Sequence, residues 1–73
     1  MKLQIIKNTE SKQFIVKMID KGSLICFEYG NSPSEILSKV NRHIEVSINP
    51  ETIKIWTQFK ELILDVPNNE WFI

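Results

Sequence analysis

The alternation of hydrophobic and polar residues predicts strands in the first thirty positions. A short apolar run covers residues 3–6, and a second run, rich in β-branched residues, extends over residues 14–19. Asp20-Lys21-Gly22 is a turn signal, because Asp favours the first position of a type I turn and Gly22 tolerates a positive φ. We therefore expect residues 14–19 and 24–29 to pair as an antiparallel hairpin within a three-stranded meander.

After residue 31 the spacing of apolar residues changes from two to about 3.6. Ser32 can accept hydrogen bonds from the free amides of a helix, Pro33 suits the first helical turn, and Glu35 occupies the third position of a capping box. These signals predict a first helix. Its apolar face consists of Ile36, Leu37, Val40 and Ile44.

Two further elements complete the prediction. Strict alternation from Ile44 to Ile48 predicts a short fourth strand, although five residues are equally compatible with an extended connection. Asn49-Pro50-Glu51 then repeats the helix-start signal. The second helix carries an apolar stripe of Ile55, Trp56, Phe59, Leu62, Ile63 and Val66. The predicted fold is α+β, a three-stranded antiparallel meander followed by helix, short strand and helix, in one domain over residues 1–73.

The strands are apolar on both sides, whereas an antiparallel sheet with one wet face normally alternates apolar with polar residues. In the third strand, strict alternation sets Leu24 and Cys26 against Ile25, Phe27 and Tyr29. Short connections place both helices on the same side, so one sheet face needs another cover. We expect a protein partner or a second copy of the chain there, with contacts at Ile25, Phe27, Tyr29, Trp71 and Phe72. The alternative cover is the C-terminal tail of the same chain, folded back over this face.

The aromatic residues near the C-terminus have two interpretations. Trp71 and Phe72 belong to an apolar end, and Trp is an effective anchor at interfaces because it buries a large area and keeps a polar tip. The alternative is that Trp56 and Trp71 complete a small core. The sequence leaves both open.

Length and composition limit the classes of function. A chain of 73 residues buries only about 60% of the surface of its unfolded form, which leaves little room for an enclosed pocket. Cys26 is the only cysteine, which excludes an intrachain disulfide and a zinc site with several thiolates and is typical of a reducing, cytoplasmic compartment. No signal peptide and no stretch of about 18 apolar residues is visible, so we expect no membrane association.

Candidate chemistry is sparse. Cys26 and His43 are the only thiol and the only imidazole, but Cys26 lies in an apolar strand and His43 near a helix end, so structural roles are favoured over a nucleophile and base. No glycine-rich phosphate loop or metal-ligand spacing is present, and the carboxylates are scattered. The sequence predicts no catalytic residue, no cofactor and no metal, and therefore no enzyme.

The zero net charge hides an uneven distribution. Residues 1–21 carry five lysines against two carboxylates, a balance of +3, and the remainder carries −3. Oppositely charged ends favour self-association modestly. The alternative function is nucleic-acid binding through Lys12, Lys17 and Lys21. These lysines also have a purely structural explanation, because lysines on edge strands prevent incorrect strand pairing.

Element order over residues 12–43, a hairpin followed by a Ser-capped helix, resembles the modules of phage integrase arm-binding domains and of certain small antitoxins. The resemblance includes no diagnostic motif and transfers no functional residue.

The predicted function is a non-enzymatic protein-interaction module, an adaptor, inhibitor or regulatory subunit, working as a homodimer or with a protein partner. A nucleic-acid-binding regulator is the second hypothesis.

Overall fold

Three antiparallel strands precede two helices along the chain, which confirms the expected α+β class. The computed structural model describes residues 1–67 and Trp71. The strands form one meander sheet with the second strand in the centre. The elements are β1 (Lys2–Asn8), β2 (Gln13–Asp20), β3 (Ser23–Gly30), α1 (Pro33–Val46) and α2 (Pro50–Leu64).

The turn between β2 and β3 contains only Lys21 and Gly22. Both have positive φ, 51° and 80°, whereas Asp20 and Ser23 already belong to the paired strands. Positive φ at both loop positions is the type I′ pattern, whose twist matches that of the flanking strands. The hairpin is therefore confirmed, but its turn differs from the type I turn expected from Asp20.

A β-bulge in the same hairpin changes the side to which Leu24 belongs. Met18 pairs with Cys26, but Ile19 pairs with Leu24, so Ile25 is an extra residue. Directly paired residues point to the same face of a sheet. Leu24 therefore shares a face with Ile19, and the strict alternation that grouped it with Cys26 is wrong at this position.

Both helices begin as their sequences predict. The Ser32 hydroxyl accepts the Glu35 amide at 3.2 Å, and the Glu35 carboxylate accepts the amide of Asn31 at 2.8 Å. At α2 the Asn49 side chain accepts the Glu51 amide at 2.9 Å. Each helix has Pro in its first turn, where a missing amide proton costs nothing.

The short strand expected over residues 44–48 is wrong. Helix α1 continues to Val46, and Ser47 ends it with its amide and its hydroxyl both donating to the His43 carbonyl. Ile44 packs against the core one helical turn after Val40, whereas Ile48 is 97% exposed. Alternation over five residues was also compatible with the last turn of a helix and an extended connection, and the helix is what forms.

The core lies between one face of the sheet and the two helices, as short connections predict. On the sheet side, alternate residues of β2 point into the core. Every other buried hydrophobic side chain in the described residues comes from α1, α2 or the C-terminal segment. The buried set is Val16, Met18, Ile36, Val40, Phe59, Ile63 and Trp71. The opposite sheet face receives no cover from the described residues.

The β2–β3 turn provides a stability test. We expect Gly22→Ala to lower the free energy of unfolding by about 1 kcal/mol, because φ at this residue is +80° and L side chains disfavour that region. A Cβ at residue 22 would have no heavy atom within 4 Å, so the effect isolates backbone strain. Urea denaturation measures it. Lys21→Asn is the matched control and should not lower stability, since Asn tolerates a positive φ; an unchanged midpoint for Gly22→Ala would contradict the assigned turn.

Candidate interaction surface

The uncovered side of the sheet is the largest functional candidate, and we call it the bare face. Its members follow from strand alternation, pairing register and the bulge. Phe27 is 51% exposed, Tyr29 46% and Leu24 52%, and Ile6 and Ile25 are exposed as well. The bare face comprises Lys2, Gln4, Ile6, Asn8, Gln13, Ile15, Lys17, Ile19, Leu24, Ile25, Phe27 and Tyr29.

Register makes the apolar side chains of the bare face contiguous across all three strands. Ile15 in the central strand pairs with Ile6 on one side and with Tyr29 on the other. Lys17, two residues along, pairs with Phe27. Cross-strand partners lie about 5 Å apart, so these residues form one patch. Contiguous exposed apolar patches on small proteins mark interaction sites more often than isolated exposed side chains do.

Three predicted contact residues lie on the bare face, namely Ile25, Phe27 and Tyr29. Trp71 does not: it is 2% exposed and makes an edge-to-face contact with Phe14, with ring centroids 5.6 Å apart and planes at 85°. Its ring packs in the core of this chain and not on a surface open to a partner. This is the position that the core interpretation of Trp71 gives it. Phe72 lies outside the described residues.

The three lysines proposed for nucleic-acid contact do not come together. Lys12 precedes β2 and Lys21 follows it, so the rise of an extended chain separates their backbones by about 30 Å. Lys17 lies midway on the bare face. These three lysines therefore do not form a basic cluster.

A polar cluster that the sequence did not predict joins β3 to both helices. The Glu28 carboxylate, 9% exposed as a residue, has one oxygen 2.9 Å from Nε2 of His43 in α1. The His43 ring stacks on Trp56 of α2 with centroids 4.0 Å apart and planes 7° apart. An open groove of about 480 Å³ is lined by β3, His43 and Trp56. The sequence contained one indication of this cluster. Glu28 is two residues from Cys26, so alternation places its carboxylate on the covered side of the strand.

Side chains also occupy the free edge of β3. The other Glu28 oxygen accepts the Tyr29 amide at 3.1 Å, and the Lys39 ammonium donates to the Tyr29 carbonyl at 2.8 Å. Lys39 Nζ also lies 4.1 Å from the centroid of the Tyr29 ring. With the bulge near Ile25 at the other end, this edge is protected against strand addition by two devices that natural sheets use.

The geometry does not bring Cys26 and His43 into a nucleophile–base pair. His43 is bonded to Glu28, and burial raises the pKa of the Cys26 thiol to about 11. A thiol with that pKa stays protonated near neutral pH, and the thiolate is the nucleophilic form. The structural interpretation of both residues is the one this arrangement supports.

Residues 1–67 and Trp71 contain no group of three or more Cys, His, Asp or Glu side chains placed to hold a metal ion. In the same part of the chain no helix has the length and apolarity needed to cross a membrane. Comparison with protein-family models, curated proteins and solved structures finds no match to this chain. The bare face is therefore the feature of this chain from which a function can be inferred.

Proposed function

We propose that this chain is a non-enzymatic protein-interaction module, an adaptor, inhibitor or regulatory subunit, that binds its partner through the bare face. The observation that carries the proposal is the contiguous apolar patch on the sheet side opposite the helices. Burying such a patch is favourable by roughly 25 cal/mol per Å² of apolar surface. The single, free Cys26 thiol is consistent with action in a reducing, cytoplasmic compartment.

Phe27 and Tyr29 are the expected anchors of this surface. They lie two residues apart on one strand and point to the same side, so both rings reach one partner surface. Aromatic side chains near the centre of an interface supply much of its binding free energy. The protected edge of β3 disfavours addition of a partner strand beside Phe27 and Tyr29, which favours a partner that packs on the sheet face there.

A double substitution tests the proposal. We expect Phe27→Ser with Tyr29→Ser to abolish retention of proteins that the unaltered chain captures from its native cell extract, because each anchor contributes about 2 kcal/mol or more to such interfaces. Quantitative mass spectrometry of the captured proteins gives the readout. Unfolding of the variant is monitored separately by circular dichroism.

The matched control is Val46→Ser with Ile48→Ser, which removes two exposed apolar side chains outside the bare face. It should retain the same proteins as the unaltered chain. If the bare-face variant, still folded, retains them as well, the proposed function is wrong.

Nucleic-acid binding is the second candidate, and one observation favours it. Lys17 is the cross-strand partner of Phe27, so a cation lies beside an exposed aromatic ring on the sheet. The wide separation of Lys12, Lys17 and Lys21 makes this candidate weaker than protein binding, because affinity for a phosphate backbone grows with the number of phosphates contacted.

A further inference from the structure

We infer that the partner of the bare face is a different protein that presents an apolar surface with carboxylates, and not a second copy of this chain. This inference rests on the proposed function and specifies its partner. It follows from the sign and position of the charges on the sheet.

All charged side chains that the strands place on the bare face are cationic. Lys2 and Lys17 point to this side, whereas Asp20 and Glu28 share the parity of the core-facing residues in their strands. Lys17 is half-buried in the central strand, between Gln4 and Phe27 in the register. A partner that covers Phe27 therefore also covers the stem of Lys17.

Covering Lys17 imposes a requirement on the partner. A buried ammonium without a counter-charge is strongly unfavourable, and a carboxylate at hydrogen-bond distance removes that penalty. Lys17 lies in the middle of the apolar patch, so solvent at the rim reaches it less easily than it reaches Lys2. The required carboxylate thus belongs inside the partner's contact surface, among apolar groups that meet Phe27 and Ile15.

A second copy does not satisfy this requirement. Two bare faces packed about a twofold axis would bring two cationic surfaces together, because Lys2 and Lys17 are the charged side chains that the strands place on this face. The negative balance of −3 belongs to the rest of the chain, most of which is helical and on the opposite side of the sheet. Attraction between copies would pair the sheet of one with the helices of the next, a head-to-tail contact that gives a ring or a filament and not a twofold dimer of two bare faces.

A nucleic acid would supply negative charge but would leave most of the surface unused. The bare face contains more aliphatic than cationic side chains. Phosphates make no favourable contact with aliphatic groups, because they bind through hydrogen bonds and charge. The only arginine, Arg42, lies on α1 and not on the sheet. An acidic, apolar protein surface matches both the lysines and the aliphatic residues.

Two synthetic probes separate these possibilities. They are amphipathic helical peptides with identical Leu and Phe positions, one with Glu and the other with Lys at every polar position. We expect the Glu peptide to bind at least tenfold more tightly and to shift the amide NMR signals of the bare face. Lys17→Glu should remove that preference, whereas Lys54→Glu, the same charge change at an exposed α2 position, should leave it intact.

Any other result contradicts the inference in a way that identifies its cause. Equal binding of the two peptides, or no binding of the Glu peptide at millimolar concentration, overturns the inference about partner chemistry but leaves the extract experiment on Phe27 and Tyr29 to judge the proposed function. A dimer seen by sedimentation and lost in Phe27→Ser overturns it in favour of a second copy. Salt-dependent binding of a single-stranded oligonucleotide, lost in Lys12→Glu with Lys17→Glu, overturns it in favour of nucleic acid.

Discussion

Trp71→Ala is expected to lower the free energy of unfolding by about 3–5 kcal/mol, the range for truncating a buried aromatic side chain. The residue is 2% exposed and contacts Phe14 edge-to-face in the core. Small domains have a total stability of about 5–15 kcal/mol, with chains of this length near the lower limit. The variant should therefore unfold at a much lower urea concentration and be partly unfolded at 37 °C.

The control for Trp71→Ala is Leu64→Ala, which also removes a large apolar side chain close to the C-terminus. Leu64 is 59% exposed, so its loss should change stability by about 0.5 kcal/mol or less. Similar unfolding midpoints for the two variants would show that Trp71 is not a core residue in solution. In that case its interpretation as a partner contact would regain support.

Local signals predicted most of the fold. The helix starts at Ser32 and Asn49 were predictable because a capping side chain, a proline and an acidic residue each satisfy or complement the same free amides. The hairpin was predictable because only a few residue types allow a tight reversal. These features depend on neighbours within about five residues, which the sequence shows directly.

The features that the sequence did not predict depend on contacts between distant segments. Leu24 lies on the bare face because of a bulge, and alternation alone cannot locate an extra residue in a strand. Residues 44–46 form the last turn of α1, in which Ile44 packs against a core that β2, both helices and Trp71 build together. Pattern length was too short in both places to decide.

The existence of the bare face was predictable, because the strands carry apolar residues on both sides and a single core covers only one side. Ile25, Phe27 and Tyr29 are apolar residues on the second side. Its charge was not, because alternation places Lys17 on the same side as Ile15 and Ile19 but does not show which side of the sheet the helices leave uncovered. The position of Trp71 was undecided for the same reason: only the packed structure shows its contact with Phe14. The sequence therefore indicated an interaction surface but not which residues remain exposed on it.

The polar cluster at the junction of β3, α1 and α2 yields the second large effect. We expect Glu28→Ala to lower the free energy of unfolding by about 2–3 kcal/mol. It removes the acceptor of the Tyr29 amide and the partner of His43, and a hydrogen bond to a charged group contributes about 1.5–3 kcal/mol. The His43 side chain is 43% exposed, so water replaces part of what that residue loses. Trp56 fluorescence should also change, because the His43 ring that stacks on it loses its fixed orientation.

A double-mutant cycle distinguishes this coupling from a general effect of losing a carboxylate. His43→Ala and Glu28→Ala together should cost less than the sum of the single variants, by about 1 kcal/mol or more, since the two residues share one contact 2.9 Å long. Glu45→Ala is the control, because that carboxylate is exposed on the same helix and should change stability by about 0.5 kcal/mol or less. Strict additivity of Glu28→Ala and His43→Ala would mean that the contact contributes nothing to holding α1 against β3, and the unpaired Tyr29 amide would then account for the whole effect of Glu28→Ala.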